Sequence, residues 1–416
     1  MGTLWKIALR NTIRHGRRTI ITAVVMMVGI SIFIFFDSML AGLDRMAVDN
    51  MANYTTSSLK IRTPAYVQDI EATPLDKGLP HPEGTLAAVA AQGLEGAPRI
   101  LFVARVSNYT DEIPVLADAV DPSADARVFK LAQAVTKGSW LSRAAPHSIV
   151  LGVELARELK VGVGDTVLIS AQTVNDVTNA DEYTVAGLVS APVPEVNRAG
   201  LFMPLDDARV LLDAPAGSSG LVTEVDVALP RAASLPAAIA QGNAVATRLR
   251  AALPSERVDP IGSLAESYLA LRNAKASYSL IPIIIVLIIS AVGIVNTILM
   301  SVYSRIREIG VLRAYGMTAG DIRLLFTLEG LALGLAGSCL GVAFGAFLDF
   351  LLIARGIDMS AFSSGSLPVS GILRGEWNPT TMLIGFTFGM VVSVLAARIP
   401  ARRAGRLEPT QALRFQ

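Results

Sequence analysis

Residues 305–317 read RIREIGVLRAYGM, a charged and helix-prone segment that is closed by glycine. Before it lies Leu280–Met300, which has no charged residue, and after it lies Leu324–Ile353, whose only charges are Glu329 and Asp349. A short polar segment between two such apolar runs is typical of a loop between membrane-spanning helices. Its arginines favour the cytoplasmic side, so we expect a helix on which a cytoplasmic protein can push.

Four runs are long and apolar enough to cross a membrane. They predict transmembrane helices at residues 19–43, 279–303, 324–354 and 381–399. More than 200 residues of ordinary polarity separate the first two runs, enough for one or two folded domains. The predicted fold is therefore an α-helical membrane protein with one N-terminal and three C-terminal transmembrane helices. A large external α/β domain, residues 44–278, lies between the first and second helices.

The distribution of charge predicts the orientation. The arm 1–18 has a net charge of +5, the loop 304–323 of +2 and the tail from Arg398 of +4, whereas residues 44–278 carry −7. Short basic segments stay in the cytoplasm, so both termini, the loop and the tail 400–416 are expected there, with residues 355–380 outside. The arm is either an amphipathic helix at the membrane interface or a plain basic topogenic segment, and the two readings are compatible.

Within the external domain, turn residues and β-branched runs alternate with helical spacing. They predict strands at 149–152, 166–169, 183–189 and 222–229, and helices at 153–159, 207–212 and 234–253. Asp206 is the expected cap of the helix at 207–212.

Signals for catalysis are missing from the sequence. The glycine-rich Gly162-Val163-Gly164-Asp165 lacks the Lys-Ser/Thr pair of a phosphate-binding loop, and no Gly-Lys pair occurs in the chain. The three histidines have no metal-ligand spacing, and the single cysteine, Cys339, is a packing residue of the third apolar run. We therefore expect no catalytic residue, no metal site, no cofactor in this chain and no nucleic-acid partner.

Two groups of residues in the apolar runs suggest specific packing. Small residues on one helix face allow close helix contacts. The third run has such a stripe at Gly330, Gly334, Gly337, Gly341 and Gly345, which is expected to pack on another helix of the same chain. Bulky apolar residues near the outer ends of the first two runs either line a substrate cavity or face lipid. These are Phe33, Phe36, Met39 and Leu40 in the first run and Ile281, Ile285 and Ile288 in the second.

The segment 305–317 resembles the R-x-R-E-I-G-x-x-R-A-x-G coupling-helix signature of the MacB/LolC/LolE/FtsX family of ABC transporter permeases. The ending from Pro400, P-A-x-x-A-x-x-x-x-P-x-x-A-L-R, and the pattern L-G-x-E-L-A-x-x-L-x-V-x-x-G-D-x-V of the external domain are also similar to that family. The resemblance implies an inserted subdomain at about 100–220. It also implies that the coupling helix docks on an ATPase through Arg305, Arg307, Glu308, Gly310, Arg313 and Gly316.

Chain length and the order of the segments resemble the lipoprotein-releasing LolC/LolE permeases most. That resemblance implies a multi-pass protein of the bacterial inner membrane that extracts lipoproteins for transfer toward the outer membrane. The implied partners are a cytoplasmic ABC ATPase dimer that binds ATP and Mg²⁺, a second permease (identical or related), membrane lipid and a periplasmic lipoprotein carrier. The alternatives are a MacB-like efflux permease with an adaptor and a signalling permease that activates a cell-wall hydrolase.

Overall fold

The computed structural model describes residues 5–8, 10, 16–214, 220–359 and 371–406, with backbone alone at 16–18, 271–283, 286 and 287. The predictions for the rest of the arm 1–18, for the loop 360–370, for the tail 407–416 and for the side chain of Ile281 lie outside the described residues. Contacts divide the chain into two units. The helical unit comprises residues 1–43, 272–357 and 373–416, and the sheet unit comprises 44–271 and 358–372.

Thirteen α-helices lie in the described part of the chain. They are α1 (Gly16–Met51), α2 (Pro64–Gln68), α3 (Pro82–Ala91), α4 (Pro122–Val128), α5 (Val153–Glu158), α6 (Pro194–Ala199), α7 (Leu205–Leu211), α8 (Leu235–Ala252), α9 (Ile261–Leu264), α10 (Glu266–Ser304), α11 (Ile306–Ala314), α12 (Ala319–Arg355) and α13 (Pro379–Gly405). A π-helix, Ala52–Thr56, continues α1, and 3₁₀ turns lie at Ile70–Ala72, Leu75–Lys77 and Leu131–Ala134.

Three helices of the described chain are long and apolar enough to cross a membrane: Thr19–Thr56, Ala319–Arg355 and Pro379–Gly405. The count reaches four if the pair Ile288–Ser304 and Ile306–Ala314, bent by 64°, is one span. Each helix extends beyond the apolar run that predicted it, because polar residues continue the helix at its ends.

Local sequence explains where two of these helices begin. Thr318 and Asp321 form a capping box at the start of α12, with each side chain bound to the backbone N–H of the other residue. Asn378 accepts hydrogen bonds from the backbone N–H groups of Thr380 and Thr381, and Pro379 occupies the first position of α13, where no donor is needed. The same helix continues through Pro400 to Gly405, past the apolar run that ends at Ile399.

The sheet unit is built on one ten-stranded mixed sheet. Its strands are β1 (Leu59–Arg62), β2 (Glu95–Ser107), β3 (Glu112–Val120), β4 (Val135–Gly138), β5 (Ser148–Gly152), β6 (Thr166–Gln172), β7 (Thr178–Val189), β8 (Leu201–Pro204), β9 (Glu224–Ala228) and β10 (Arg257–Pro260). The order is β10-β1-β9-β2-β3-β8-β5-β7-β4, and β6 pairs with β2 and β7. A separate ladder joins β11 (Ile357–Asp358) and β12 (Ile372–Leu373).

Three apolar cores pack against the sheet in the described part of the chain. One is formed by β2, β3, β5 to β8, α5 and α7, around Phe102, Ile149 and Tyr183. Another is formed by β1, β9, β10, α3 and α8, around Ile61 and Val225. A third core, around Phe129, Val150 and Phe202, lies on the opposite face of β5 and β8 from the first, so these strands are packed on both faces.

The expected elements of the external domain are present, with one correction. Asp206 does not cap α7: the N-cap residue is Pro204, and no side chain bonds the helix start. Asp206 lies in the first turn and pairs instead with Arg209 at 3.2 Å. Asp207 accepts a hydrogen bond from the backbone N–H of His147 at 2.8 Å. The strand β8 ends at Pro204, whose backbone is extended, and the helix follows directly at Leu205. It therefore begins one residue before the predicted cap, Asp206.

Candidate functional site

Helix α11 has one buried face and one exposed face. Ile306 and Ile309 are buried, together with Gly310, and Ile309 joins the apolar cluster of α10, α12 and α13. The residues that turn away from this cluster are Arg307, Glu308, Val311, Ala314 and Tyr315. These five are spaced by one, three or four residues, so they form a single helix face, which we call the docking face. Tyr315 in this face is 88% exposed.

Arg305 lies at the sharp bend between α10 and α11. Its side chain is buried, and its Nη1 donates to Glu329 Oε1 of α12 at 2.7 Å. Its Nε donates to Glu308 Oε2 at 2.8 Å, and its guanidinium lies 5.7 Å from the centre of the Phe326 ring. Glu329 also accepts a hydrogen bond from Ser301 Oγ at 3.3 Å. The bend is therefore held by a buried charge cluster, which we call the Arg305 cluster.

Two further residues of the signature fix the end of α11. Arg313 Nη1 donates to the backbone carbonyl of Gly405 at 3.0 Å, which ties α11 to the end of α13. Gly316 has a φ of +97°, a conformation that residues with a side chain rarely adopt, so it terminates the helix and turns the chain toward Thr318.

The six residues implied by the resemblance thus occupy different places. Arg307 and Glu308 lie on the docking face and Gly316 is exposed beside it, whereas Arg305, Gly310 and Arg313 are turned toward the helical unit. Sequence reasoning missed Val311, Ala314 and Tyr315. Their spacing from Arg307 and Glu308 along one helix was the signal that could have found them.

The five glycines of the third apolar run form a seam along α12. A Cβ atom at Gly330 would lie 2.3 Å from Ala397 Cβ, and one at Gly334 would lie 2.5 Å from Ser393 Cβ, so this half of the seam touches α13. The other half touches α1: Gly337 faces Met26, Gly341 faces Ile30 and Gly345 faces Ile34, with Cβ distances of 2.8, 2.8 and 3.0 Å. Residue numbers rise together on both sides of this second contact, so α1 and α12 run in parallel.

The apolar residues predicted for a cavity divide by exposure. Phe36 and Leu40 are exposed and continue a stripe of exposed residues at Val24, Val28 and Ile32 along α1. Ile285 and Ile288 are exposed on α10. Phe33 is turned toward α13, where its ring lies 3.3 Å from a Cβ built on Gly385, and Met39 is half-buried.

Helices α1 and α10 are neighbours. Thr22 and Thr297 share a hydrogen bond of 2.6 Å, and Met26 packs in the same cluster as Ile294. The exposed apolar faces of the two helices are therefore parts of one helix pair, in which α1 is also fixed by the glycine seam.

The sheet unit contains a second charge cluster, on β10, β1, β9, β2, β3 and the helix α4. Its basic members are Lys60, Arg62 and Arg99, and its acidic members are Asp118, Asp125, Glu224, Asp226 and Asp259. The shortest contacts are Lys60 Nζ–Glu224 Oε1 at 2.5 Å, Arg99 Nη2–Asp125 Oδ1 at 2.6 Å and Arg62 Nη2–Asp259 Oδ2 at 2.7 Å. We call it the sheet cluster.

Burial and neighbours shift the pKa values in the sheet cluster in opposite directions. Burial raises the pKa of Asp226 to about 7, and the adjacent Glu224 carboxylate adds to this. The Lys60 ammonium holds the pKa of Glu224 below its usual value despite burial. Burial also raises the pKa of Asp118 and of Asp125. The network lies in the interior of the sheet unit, since Lys60, Arg99, Glu224 and Asp226 are all buried and pair with one another.

Among the described residues, no group of three or more His, Cys, Asp or Glu side chains is arranged to hold a metal ion. The part of the site that has clear chemical character is the docking face, a mixed charged and apolar helix surface.

Comparison with known families accounts for both units. The family described as "MacB-like periplasmic core domain" matches residues 19–245, more than half of the chain. The family described as "FtsX-like permease C-terminal" matches residues 280–409. The second match contains α11, the Arg305 cluster and the whole glycine seam.

Three relatives show how the similarity is distributed. The lipoprotein-releasing system transmembrane protein LolC of Xylella fastidiosa is 26% identical over 318 residues, 73% of each chain. The LolE protein of the same kind of system in Haemophilus influenzae is 25% identical over 328 residues, 76% of each chain. The macrolide export ATP-binding/permease protein MacB of Bdellovibrio bacteriovorus is 26% identical over 281 residues, 64% of this chain and 38% of that protein.

The membrane-spanning helices and the periplasmic-type α/β domain fit a permease of the inner membrane, and membership of an ABC permease family implies an ATPase partner. The chain belongs to the family of ABC transporter permeases that join a MacB-like periplasmic core domain to an FtsX-like C-terminal membrane region.

Proposed function

We propose that this protein is the permease of a mechanotransmission ABC system that extracts lipoproteins from the inner membrane for transfer toward the outer membrane. The observation that carries the proposal is the exposed apolar stripe on α1 that ends at Phe36 and Leu40; the neighbouring helix α10 also exposes two isoleucines, Ile285 and Ile288. Relatives named as lipoprotein-releasing proteins, LolC and LolE, support this substrate class.

Acyl chains set the energetic requirement for such a site. Moving one buried methylene into water costs about 0.8 kcal/mol, so three lipid chains exposed to water cost tens of kcal/mol. A permease therefore has to offer an apolar surface that replaces the bilayer during extraction. The exposed apolar faces of α1 and α10 offer that surface. These two neighbouring helices are two of the four transmembrane helices in this proposal.

A separate cytoplasmic ATPase dimer supplies the energy in this proposal, with ATP and Mg²⁺ bound on the ATPase. The docking face of α11 is suited to a cleft on such a partner, because Glu308 and Arg307 flank the apolar Val311 and the aromatic Tyr315. Two ATPase subunits need two docking faces, so a second permease, identical or related, completes the assembly. Both termini then lie in the cytoplasm and the sheet unit in the periplasm, where a lipoprotein carrier can collect the cargo.

The similarity to MacB favours a second candidate function, export of a small apolar compound with an adaptor. Both functions use an apolar surface and an ATPase, and they differ in cargo. A test of cargo therefore decides between them.

Photocrosslinking in membranes provides this test. A photoreactive residue in place of Phe36 should capture lipoprotein when ATP is withheld and release it when ATP is added. Phe347 of α12 is the matched control, since it is an aromatic residue of equal exposure at the same level of the parallel α1–α12 pair (53% against 52%). Equal capture at both positions, or capture of phospholipid alone at Phe36 while lipoproteins are released normally, would contradict the proposal.

A further inference from the structure

Arg305 links a carboxylate on α11 to a carboxylate on α12. One nitrogen of its guanidinium binds Glu308 at 2.8 Å, and another binds Glu329 at 2.7 Å. The side chain of Arg305 is 9% exposed, so both bonds are made by a group that is almost entirely removed from water. Planar and multiply donating, the guanidinium can hold two acids at once in a fixed geometry.

The two carboxylates have different surroundings. Glu308 is 55% exposed and belongs to the docking face, whereas Glu329 is 6% exposed and belongs to the apolar helix α12. Glu329 is held further by Ser301 Oγ of α10 at 3.3 Å. The Arg305 cluster therefore connects the surface of the coupling helix to the interior of the helical unit through charged groups alone.

The position of Glu329 on α12 connects the Arg305 cluster to the glycine seam. Glu329 is directly followed by Gly330, the first residue of the glycine seam, which contacts α13 and then α1. Close-packed seams have no free volume to absorb a displacement, so movement at Glu329 passes to both neighbouring helices. Besides the Arg313–Gly405 bond to α13 and the packing of Ile309, the Arg305–Glu329 bond gives α11 a direct charged link to α12.

We infer that Arg305 is a positioning residue that transmits movement of the coupling helix to α12 by holding Glu308 and Glu329 together. The inference rests on the proposed function only in that α11 is taken as the docking site of the ATPase. A partner group that binds Glu308 moves Arg305, and Arg305 draws Glu329 and the seam with it.

A double substitution separates transmission from simple stabilisation. Arg305→Met or Glu329→Gln alone leaves one buried charge without its partner and is expected to destabilise the protein. The double variant Arg305→Met/Glu329→Gln has no orphaned charge, so folding and insertion should recover. If the pair only stabilises the fold, coupling recovers as well. If the pair transmits movement, coupling stays lost in a protein that folds and binds the ATPase.

The readout should not depend on the cargo, and because Leu40 belongs to the proposed apolar surface, lipoprotein is left out of the reconstituted membranes. We would introduce Leu40→Cys on α1, replace the native cysteine by Cys339→Ala, reconstitute the permease with its ATPase and measure maleimide labelling with and without ATP. The parent should show an ATP-dependent change in labelling rate of about fivefold or more. The double variant should bind the ATPase within about twofold of the parent and lose the ATP-dependent change.

A second substitution separates failure of the inference from failure of the proposed function. Val311→Glu alters the docking face without contact to the Arg305 cluster, and it should abolish ATPase binding. If Val311→Glu binds normally, or the parent shows no response to ATP, the docking assignment is wrong and the inference falls with it. If both behave as expected but the double variant keeps its ATP response, the inference alone is overturned.

Discussion

The two units of the protein solve the problem of a tightly packed interior in opposite ways. The sheet unit buries many charges in its sheet cluster, with three basic and five acidic side chains on neighbouring strands and on α4. The helical unit relies on the absence of side chains at its glycine seam and buries few charged residues: the Arg305 cluster near the start of α12 and Asp349 near its end. In a domain that is surrounded by water, a charged side chain can bind either water or another side chain. In an apolar helix each charge needs a dedicated partner.

The difference implies different weaknesses. Removing one cation from the sheet cluster leaves carboxylates that are already in excess, so the cost is electrostatic. Adding atoms to the glycine seam forces helices apart, so the cost is steric. Neither unit should respond strongly to the change that harms the other.

The largest effect is expected for Arg99→Ala in the sheet cluster. Arg99 is 1% exposed, donates to Asp125 at 2.6 and 3.0 Å and lies 3.6 Å from the centre of the Phe129 ring. Its loss leaves buried carboxylates without a cation, which should lower the free energy of unfolding of the sheet unit by about 3–5 kcal/mol. Pulse proteolysis in urea on the intact protein measures this as a shift in the midpoint of cleavage.

Arg105→Ala is the matched control on the same strand. Arg105 pairs with Glu112 at 3.2 Å, and its side chain is 67% exposed, so its loss should cost no more than about 1 kcal/mol. Equal midpoints for the two variants would show that the sheet cluster does not stabilise the sheet unit.

A smaller effect is expected for Gly334→Leu in the glycine seam. The new side chain would begin 2.5 Å from Ser393 Cβ and Oγ of α13, and overpacking of this kind costs about 1–3 kcal/mol. We expect a lower melting temperature and a smaller folded fraction in detergent, with unchanged association between permease chains in the fraction that folds.

Gly293→Leu on α10 has the same change in size and serves as the control, since nothing lies within 4 Å of its Cβ position. The seam would lose its assigned role if both variants melted alike. A Gly334→Leu protein that folds normally and becomes monomeric would place this face between chains.

Sequence reasoning reached the helices and the family because their signals are local. A long apolar run and a glycine at every third or fourth position each depend on neighbouring residues alone. The polar first half of β7, Thr178–Glu182, was missed because it lacks an apolar alternation. It pairs with β6 from Gln172 back to Leu168, and this antiparallel ladder holds it in place. Thr178–Glu182 are strand residues through their partners rather than their own pattern.

The residues of the candidate site also divide into those with a local sequence signal and those without one. The exposed carboxylate Glu308 was predicted from the coupling signature, whereas the inward role of Arg305 depends on Glu329, which is 24 residues away in sequence. The sheet cluster could not be predicted at all, because Lys60, Arg99 and Asp226 meet only when β1, β9 and β2 pair. Charges brought together by strand order carry no mark in the linear sequence.

The smallest effect we predict is a pH dependence confined to the sheet unit. Asp226 is surrounded by Lys60 of β1, Glu224 of its own strand, Arg99 of β2 and the hydroxyl of Ser57, which donates to Asp226 Oδ1 at 2.9 Å. Its pKa is raised from 3.8 to about 7, so the folded protein holds this proton more tightly than the unfolded chain. The free energy of unfolding therefore falls as pH rises through this window, by at most about 1.4 kcal/mol per pH unit for one proton.

Asp226→Asn removes that titration and keeps an oxygen that can accept the Ser57 hydrogen bond. Between pH 5.5 and 7.5 the urea midpoint of the parent sheet unit should decline, and the variant should decline less.

Glu224 does not mask the effect, because its pKa is lowered and its contribution is lost only as pH falls below the usual range of a glutamate. Asp118 and Asp125, with raised pKa values, leave a residual slope of the same sign in both proteins. Glu95→Gln, an exposed carboxylate paired with Arg127, should keep the parental slope. Identical slopes in parent and Asp226→Asn would mean that Asp226 is already charged throughout, held by Lys60 and Arg99, and that the excess acid in the sheet cluster is neutralised elsewhere.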